Sequence, residues 1–180
     1  MSQFTDRMIK AAKLDVKLYE EVESDKSAMG QAMGVVVLAS LAAGIGSIRA
    51  TGLIGIFTGT LTALIGWYIW AYLTYLIGTK LLPEPQTKSN PGELLRTIGF
   101  SSSPGVIRVL GLIPFLSGIV FLAASIWMLV AMVIAVRQAL DYRRTWRALG
   151  VCLIGWVIQA LLTMLVFAVI GGPAPEAQAG

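Results

Sequence analysis

Val109–Arg147 reads VLGLIPFLSGIVFLAASIWMLVAMVIAVRQALDYRRTWR, an uncharged run that closes on four arginines, Arg137, Arg143, Arg144 and Arg147. The threading of this stretch decides the fold. Segments rich in Lys and Arg beside a membrane span stay on the cytoplasmic side. Arg7, Lys10, Lys13, Lys17 and Lys26 precede the first apolar run, and Lys80, Lys88 and Arg96 follow the second, with Arg108 at the far edge of that segment. With the N-terminus inside, two crossings return Lys80–Arg108 to the cytoplasm. A single crossing by Val109–Val136 would then strand the four arginines outside, so Ser103–Ala139 must cross an even number of times. As a helix this stretch covers roughly 55 Å against a hydrocarbon core of about 30 Å. Pro114 and Gly118 stand where a hairpin would turn. The expectation is a short third span, about 103–115, and a fuller fourth, about 117–136. At about 20 Å the short limb must thin the bilayer, be sheltered by neighbours, or be re-entrant.

Working outward, Ser27–Ile48, Ala50–Thr79 and Ala148–Pro175 also lack any Asp, Glu, Lys or Arg. A charge at mid-bilayer costs roughly 2.5–3.5 kcal/mol, so apolar runs of about 20 residues read as spans. Charged residues make up 13% of the chain, about half the share usual in a soluble domain. The reading is all-α: a polytopic membrane bundle of five transmembrane helices, about 29–48, 52–79, 103–115, 117–136 and 148–170. A cytoplasmic amphipathic helix occupies residues 1–26 and a flexible tail 171–180, with the N-terminus inside and the C-terminus outside. The first 26 residues lack the apolar core and cleavage site of a removable signal peptide. The net charge of +4 reflects orientation in a membrane and not nucleic-acid binding, because the basic residues flank apolar runs.

Within the cytoplasmic segments, Ser2–Glu23 has helical periodicity. Phe4, Met8, Ala11, Ala12, Leu18, Tyr19 and Val22 share a face opposite Arg7, Lys10, Lys13 and Lys17, although Asp15 interrupts the apolar face and Leu14 the basic one. Such a helix either caps the cytoplasmic end of its own bundle or lies on the membrane surface or a partner. The acidic run Glu20, Glu21, Glu23, Asp25 fits a solvated turn, a site for a cation or basic partner, or pairing with Arg143, Arg144 and Arg147 on the same side. Leu81–Gly92 is a loop by its prolines. Glu93–Phe100 predicts a turn or two of interfacial helix, after which Ser101-Ser102-Ser103-Pro104 offers an N-cap for the third span.

Inside the membrane, Gly30/Gly34, Ser40/Gly44 and Gly55/Gly59 are small-xxx-small pairs suited to close helix packing. Gln159, with Thr163 one turn on, either makes an interhelical hydrogen bond or lines a substrate path. Arg108 lies close enough to the cytoplasmic end of its helix to snorkel. Tyr72 and Tyr75 suit an interfacial belt. Histidine is absent and Cys152 is the one cysteine, so imidazole chemistry and an intrachain disulfide are both excluded. No phosphate-cradling loop, nucleophile elbow or clustered metal site occurs. No enzymatic activity, cofactor or metal is expected.

Tyr19–Ala32, YEEVESDKSAMGQA, resembles the N-terminal signature of bacterial members of the Yip family, named for interaction with Rab-type GTPases. LLRTIGFSSSPG at Leu94–Gly105 and WMLVAMVIAVRQALDY at Trp127–Tyr142 are similar to the same family. The resemblance implies five spans, a cytoplasmic N-terminal region and a non-enzymatic protein of the bacterial inner membrane. Eukaryotic relatives bind small GTPases and each other in vesicle traffic. Their Asp-Leu-Tyr-Gly-Pro type sequence and Gly-Tyr loop are not apparent here, and GTPase binding is not carried over. The expected role is a scaffold or accessory subunit that binds other membrane proteins, or itself, and shapes the bilayer. The alternative is a small transporter or channel for an ion, lipid or apolar solute. Candidate interaction or packing residues are Tyr19, Glu20, Glu21, Glu23, Asp25, Arg96, Arg108, Arg143, Arg144, Arg147 and Gln159.

Overall fold

The computed structural model describes residues 2–170, and for the last helix few side chains beyond Leu161. The tail Gly171–Gly180 and the side chain of Thr163 lie outside the described residues. The helices are α1 (Gln3–Ala12), α2 (Val16–Ser24), α3 (Met29–Gly46), α4 (Ile48–Leu76), α5 (Pro91–Ser101), α6 (Ser117–Ala139) and α7 (Thr145–Ile170), and no strand occurs among the described residues. Lys26–Gly46, Ile48–Leu81 and Ser117–Ala139 are long and apolar enough to cross a bilayer, and the described part of α7, Thr145–Leu161, is shorter but apolar.

The third limb differs from its expectation. It starts at Pro91, not Ser103, where Asn90 and Glu93 form a reciprocal capping box and Pro91 takes the first turn. After α5 the backbone tightens into a 3-10 helix over Ser103–Leu112. Ser102 gives no side-chain cap. Instead the Ser101 and Ser103 hydroxyls turn back onto the carbonyls of Ile98 and Phe100, both at 2.7 Å. The 11 residues of α5 cover about 16 Å. The 10 of the 3-10 segment cover about 20 Å. Together they approach a bilayer core in length.

The same limb runs parallel to α3 along a seam of small residues. A side chain at Gly99 would meet the Cβ of Ala32 at 2.8 Å, one at Gly105 would meet the Cβ of Ala39 at 3.2 Å, and one at Gly111 would meet the Cα of Gly46 at 3.3 Å. The steps are six residues on the limb and seven on α3. Seven residues are two turns of an α-helix, and six are two turns of a 3-10 helix, so both helices keep one face to the seam. Then α6 returns antiparallel, setting Phe121 against Gly111 and Met128 against Gly105. The turn between them falls at Ile113–Leu116, as Pro114 predicts, with Phe115 fully exposed in the left-handed region at φ 70°.

The N-terminal segment is a hairpin and not one helix. The chain breaks at Leu14 (φ 62°), and Asp15 caps α2 by accepting from the Lys17 N–H. Leu14 and Asp15 are the two residues that spoil the single-helix pattern. The hairpin buries Ala11, Leu18, Tyr19 and Val22 against Ala32, Val35, Phe100 and Ala135, and the Trp127 indole donates to the Ala12 carbonyl at 2.8 Å. It therefore caps the bundle with its own apolar face.

At the same end, Gln138 donates to Glu20 at 2.9 Å and Gln86 to the Asp141 carbonyl at 3.0 Å. The N-terminal hairpin, residues 82–90 and residues 137–147 thus share one end of the bundle. A second buried cluster, with Ile77, Leu94, Val136, Leu140 and Val151, packs there too.

Candidate functional site

Two polar constellations stand out, one at the capped end and one inside the bundle. At the capped end, α1 delivers Arg7 into the hairpin with only 3% of its surface exposed. Its Nε donates to Glu21 at 2.9 Å, its Nη2 to Asp25 at 2.7 Å and its Nη1 to the Gln31 amide oxygen at 3.1 Å. Glu21 and Asp25, one turn apart at the end of α2, make a two-carboxylate receptor for a buried cation. The Ser27 hydroxyl and Arg7 hold the Asp25 carboxyl down at about 2. Glu21 and Asp25 of the acidic run therefore pair with Arg7, which periodicity had placed in an exposed basic stripe, and among the described residues none of the run forms an ion pair with Arg143, Arg144 or Arg147.

Arg96 is also buried, not interfacial. Its Nε donates to the Val22 carbonyl at 2.8 Å and its Nη2 to the Glu23 carbonyl. These are orphan carbonyls at the negative end of α2, and a guanidinium satisfies both their lone pairs and their dipole. Tyr19 lies beneath, fully buried, its hydroxyl donating to the Ala11 carbonyl at 3.3 Å. Burial, with Asp141 and Glu93 nearby, pushes the Glu23 carboxyl up to about 7. It lines a polar cleft with Glu20, Arg137, Asp141 and Arg143.

The other arginines find a partner that sequence reasoning missed, Glu84. Arg147 pairs with it at 3.2 Å, and the Arg143 backbone N–H donates to it at 3.2 Å. Arg144 is exposed. Beside them the Tyr142 hydroxyl reaches the carbonyls of Gly78 and Leu82 at 3.0 and 2.8 Å. The π-helical turn Ile77–Leu81 presents this part of the backbone. Burial pushes the Tyr142 phenol up to about 12.

Inside the bundle, Arg108 and Gln159 come together. Both line a cavity of about 390 Å³, with Ser40, Trp67, Trp70, Ser102 and Met128 among the other walls. Arg108 does not sit at the capped end of its limb. Its backbone carbonyl abuts Gly46, the last residue of α3, and its side chain does not snorkel to that end. Its Nη2 donates to Ser125 at 2.9 Å, whose own hydroxyl proton goes to the Phe121 carbonyl at 2.7 Å. The Phe121 ring lies 5.6 Å from the guanidinium carbon. No Asp or Glu occurs in α3, α4, the 3-10 segment, α6 or α7, so the charge has no carboxylate to balance it. The geometry suits binding: a fixed cation, hydroxyls and amide in an apolar chamber, without a base to activate a serine. Among the described residues no group of three His, Cys, Asp or Glu is placed to hold a metal.

An all-helical bundle with several bilayer-length apolar helices and its basic segments gathered at one end defines a multi-pass membrane protein. A family model described as the Yip1 domain matches residues 20–167, and the chain belongs to the Yip family. No curated protein and no solved structure matches it.

Proposed function

We propose that this protein is a non-enzymatic scaffold or accessory subunit that binds other membrane proteins and shapes the bilayer around them. In this reading it crosses a bacterial inner membrane five times, with the capped end in the cytoplasm and the C-terminus outside. The observation that carries the reading is α4. No residue in its most apolar window is buried by the rest of the chain, and Leu53, Ile54, Phe57, Leu61 and Ile65 all expose more than half their surface. The chain also breaks at Gly52, φ 65°, and residues 53–81 beyond it run about 43 Å. A helix that long must tilt or thicken the lipid around it. The hairpin, by contrast, buries Ala11, Leu18, Tyr19 and Val22 against its own bundle.

A photo-crosslinker at Phe57 or Ile65 tests this against Leu122, an exposed residue of α6. Protein adducts confined to the α4 positions are expected. Lipid adducts alone at all three positions would sink the scaffold reading.

The interior cavity favours a second reading, a small transporter. Flux into proteoliposomes that Gln159→Leu and Arg108→Ala leave unchanged would remove it.

A further inference from the structure

Two residues of the interior cavity each bury a donor that meets no acceptor: Arg108 through Nε and Trp70 through Nε1. The imbalance has one sign. The chamber offers a guanidinium, with five donors and no lone pair to accept, and an indole N–H. Among the described residues, the oxygen that accepts from Arg108 is the neutral Ser125 hydroxyl. Unmet donors and an unbalanced positive charge are costly where the bilayer keeps water away. What the chamber lacks is an acceptor-rich anion. A guanidinium fork matches a phosphate or carboxylate with parallel hydrogen bonds.

Size and lining narrow the class. About 390 Å³ is the liquid volume of about a dozen water molecules, room for a phosphate and the glycerol behind it. The remaining walls are largely apolar: Val36, Ala39, Ala63, Trp67, Ile98 and Met128. A neighbouring cavity of about 200 Å³ shares Ile98, Ser102, Arg108 and Met128, and continues past Leu129 and Met132 to Trp156, which is 43% exposed on α7. Acyl chains would leave along that path, between α6 and α7.

We propose that Arg108 seats the phosphate oxyanion of a membrane phospholipid headgroup inside the bundle, with Trp70 as a second donor. The seat does not depend on protein partners: an absence of crosslinks at α4 leaves it standing. It narrows the transporter reading to an oxyanion-bearing solute without requiring transport.

The full chain in uncharged detergent would be titrated with phosphatidylglycerol, with diacylglycerol and with inorganic phosphate. Native mass spectrometry counts the bound molecules, and thermal shift gives the apparent affinity. Phosphatidylglycerol is expected to bind one per chain and raise the midpoint, while diacylglycerol, with the same chains but no oxyanion, does neither. Arg108→Gln should weaken binding by about tenfold or more, Arg108→Lys by less, and Arg144→Gln not at all. Inorganic phosphate binding with the same dependence on Arg108 would support the oxyanion seat and make its source a free anion. Equal affinity of wild type and Arg108→Gln, or diacylglycerol binding as tightly as phosphatidylglycerol, would overturn the proposal. Should Arg108→Gln fail to fold, Trp70→Phe keeps an aromatic ring and removes the N–H. Unchanged affinity in both Trp70→Phe and Arg108→Lys then overturns it equally.

Discussion

Arg96, at the middle of α5, donates through Nε to the Val22 carbonyl at 2.8 Å, across 74 positions of sequence. That bond ties the end of the N-terminal hairpin to the limb that runs beside α3. Arg96→Leu leaves two buried carbonyls unsatisfied and should cost about 2–3 kcal/mol. The loss should be local first. Limited trypsin digestion is expected to cut faster at Lys13 and Lys17 while the rest of the bundle resists. An unchanged cleavage rate would contradict the role given to Arg96.

The seam of α3 against the third limb predicts an order among glycine variants. A Cβ at Gly111 would stand 2.7 Å from the Phe121 ring and 3.0 Å from the Gly46 carbonyl, and one at Gly46 would collide with the Arg108 backbone. Gly111→Ala should cost about 1–3 kcal/mol, and Gly46→Ala should cost more, because backbone yields less readily than a ring. At Gly118 nothing lies within 4 Å, so Gly118→Ala should be neutral or slightly stabilising. Thermal unfolding in one detergent ranks all three.

Phe115 is the fully exposed tip of the turn between the third limb and α6. If the limb crosses completely, Phe115→Cys in a Cys152→Ser background reacts with an impermeant thiol reagent added outside intact cells. Arg144→Cys in the same background reacts only after the membrane is opened. Labelling of both from the same side would rule out five crossings.

Glu23 sets a pH dependence at the capped end. Burial lifts its carboxyl from 4.5 to about 7, so between these values the folded state holds a proton that the unfolded chain has lost. Stability therefore falls as pH rises through this window. Glu23→Gln carries no such titration and keeps the backbone carbonyl that Arg96 uses. Its midpoint should match wild type near pH 4 and exceed it near pH 8, in a thermal scan at each pH. Asp25 acts in the opposite sense, with its carboxyl lowered to about 2, and contributes a loss only as pH falls below its ordinary 3.8.

Much of the architecture was legible because charge placement in a membrane is costly to violate. The four arginines after Val136 required the preceding stretch to turn back, and Pro114 located the turn within a residue or two. The limits of the third limb were not legible in that way. Its start at Asn90-Pro91 carries a capping box that composition alone read as loop. Gly99, Gly105 and Gly111 recur every six residues, a period that signals 3-10 geometry only once a partner with a seven-residue repeat is known. Arg7 was misplaced for a related reason. Its position in a helical wheel describes α1 alone, whereas the receptor that buries it, Glu21 and Asp25, exists only after the chain reverses at Leu14.

The sequence by itself determined that this chain is a multi-pass membrane protein and which of its segments gather at one end of the bundle, because each unpaired charge forced through hydrocarbon costs kilocalories. Tertiary structure alone decided which buried cations found acceptors. Arg7 and Arg96 meet carboxylates and helix-end carbonyls at contacts that span 14 to 74 residues of chain, while Arg108 meets a hydroxyl and a ring in a chamber where the Trp70 indole N–H is also unmet. Hydrogen bonds act over about 3 Å, and no periodicity in one strand of sequence can place two distant groups that close.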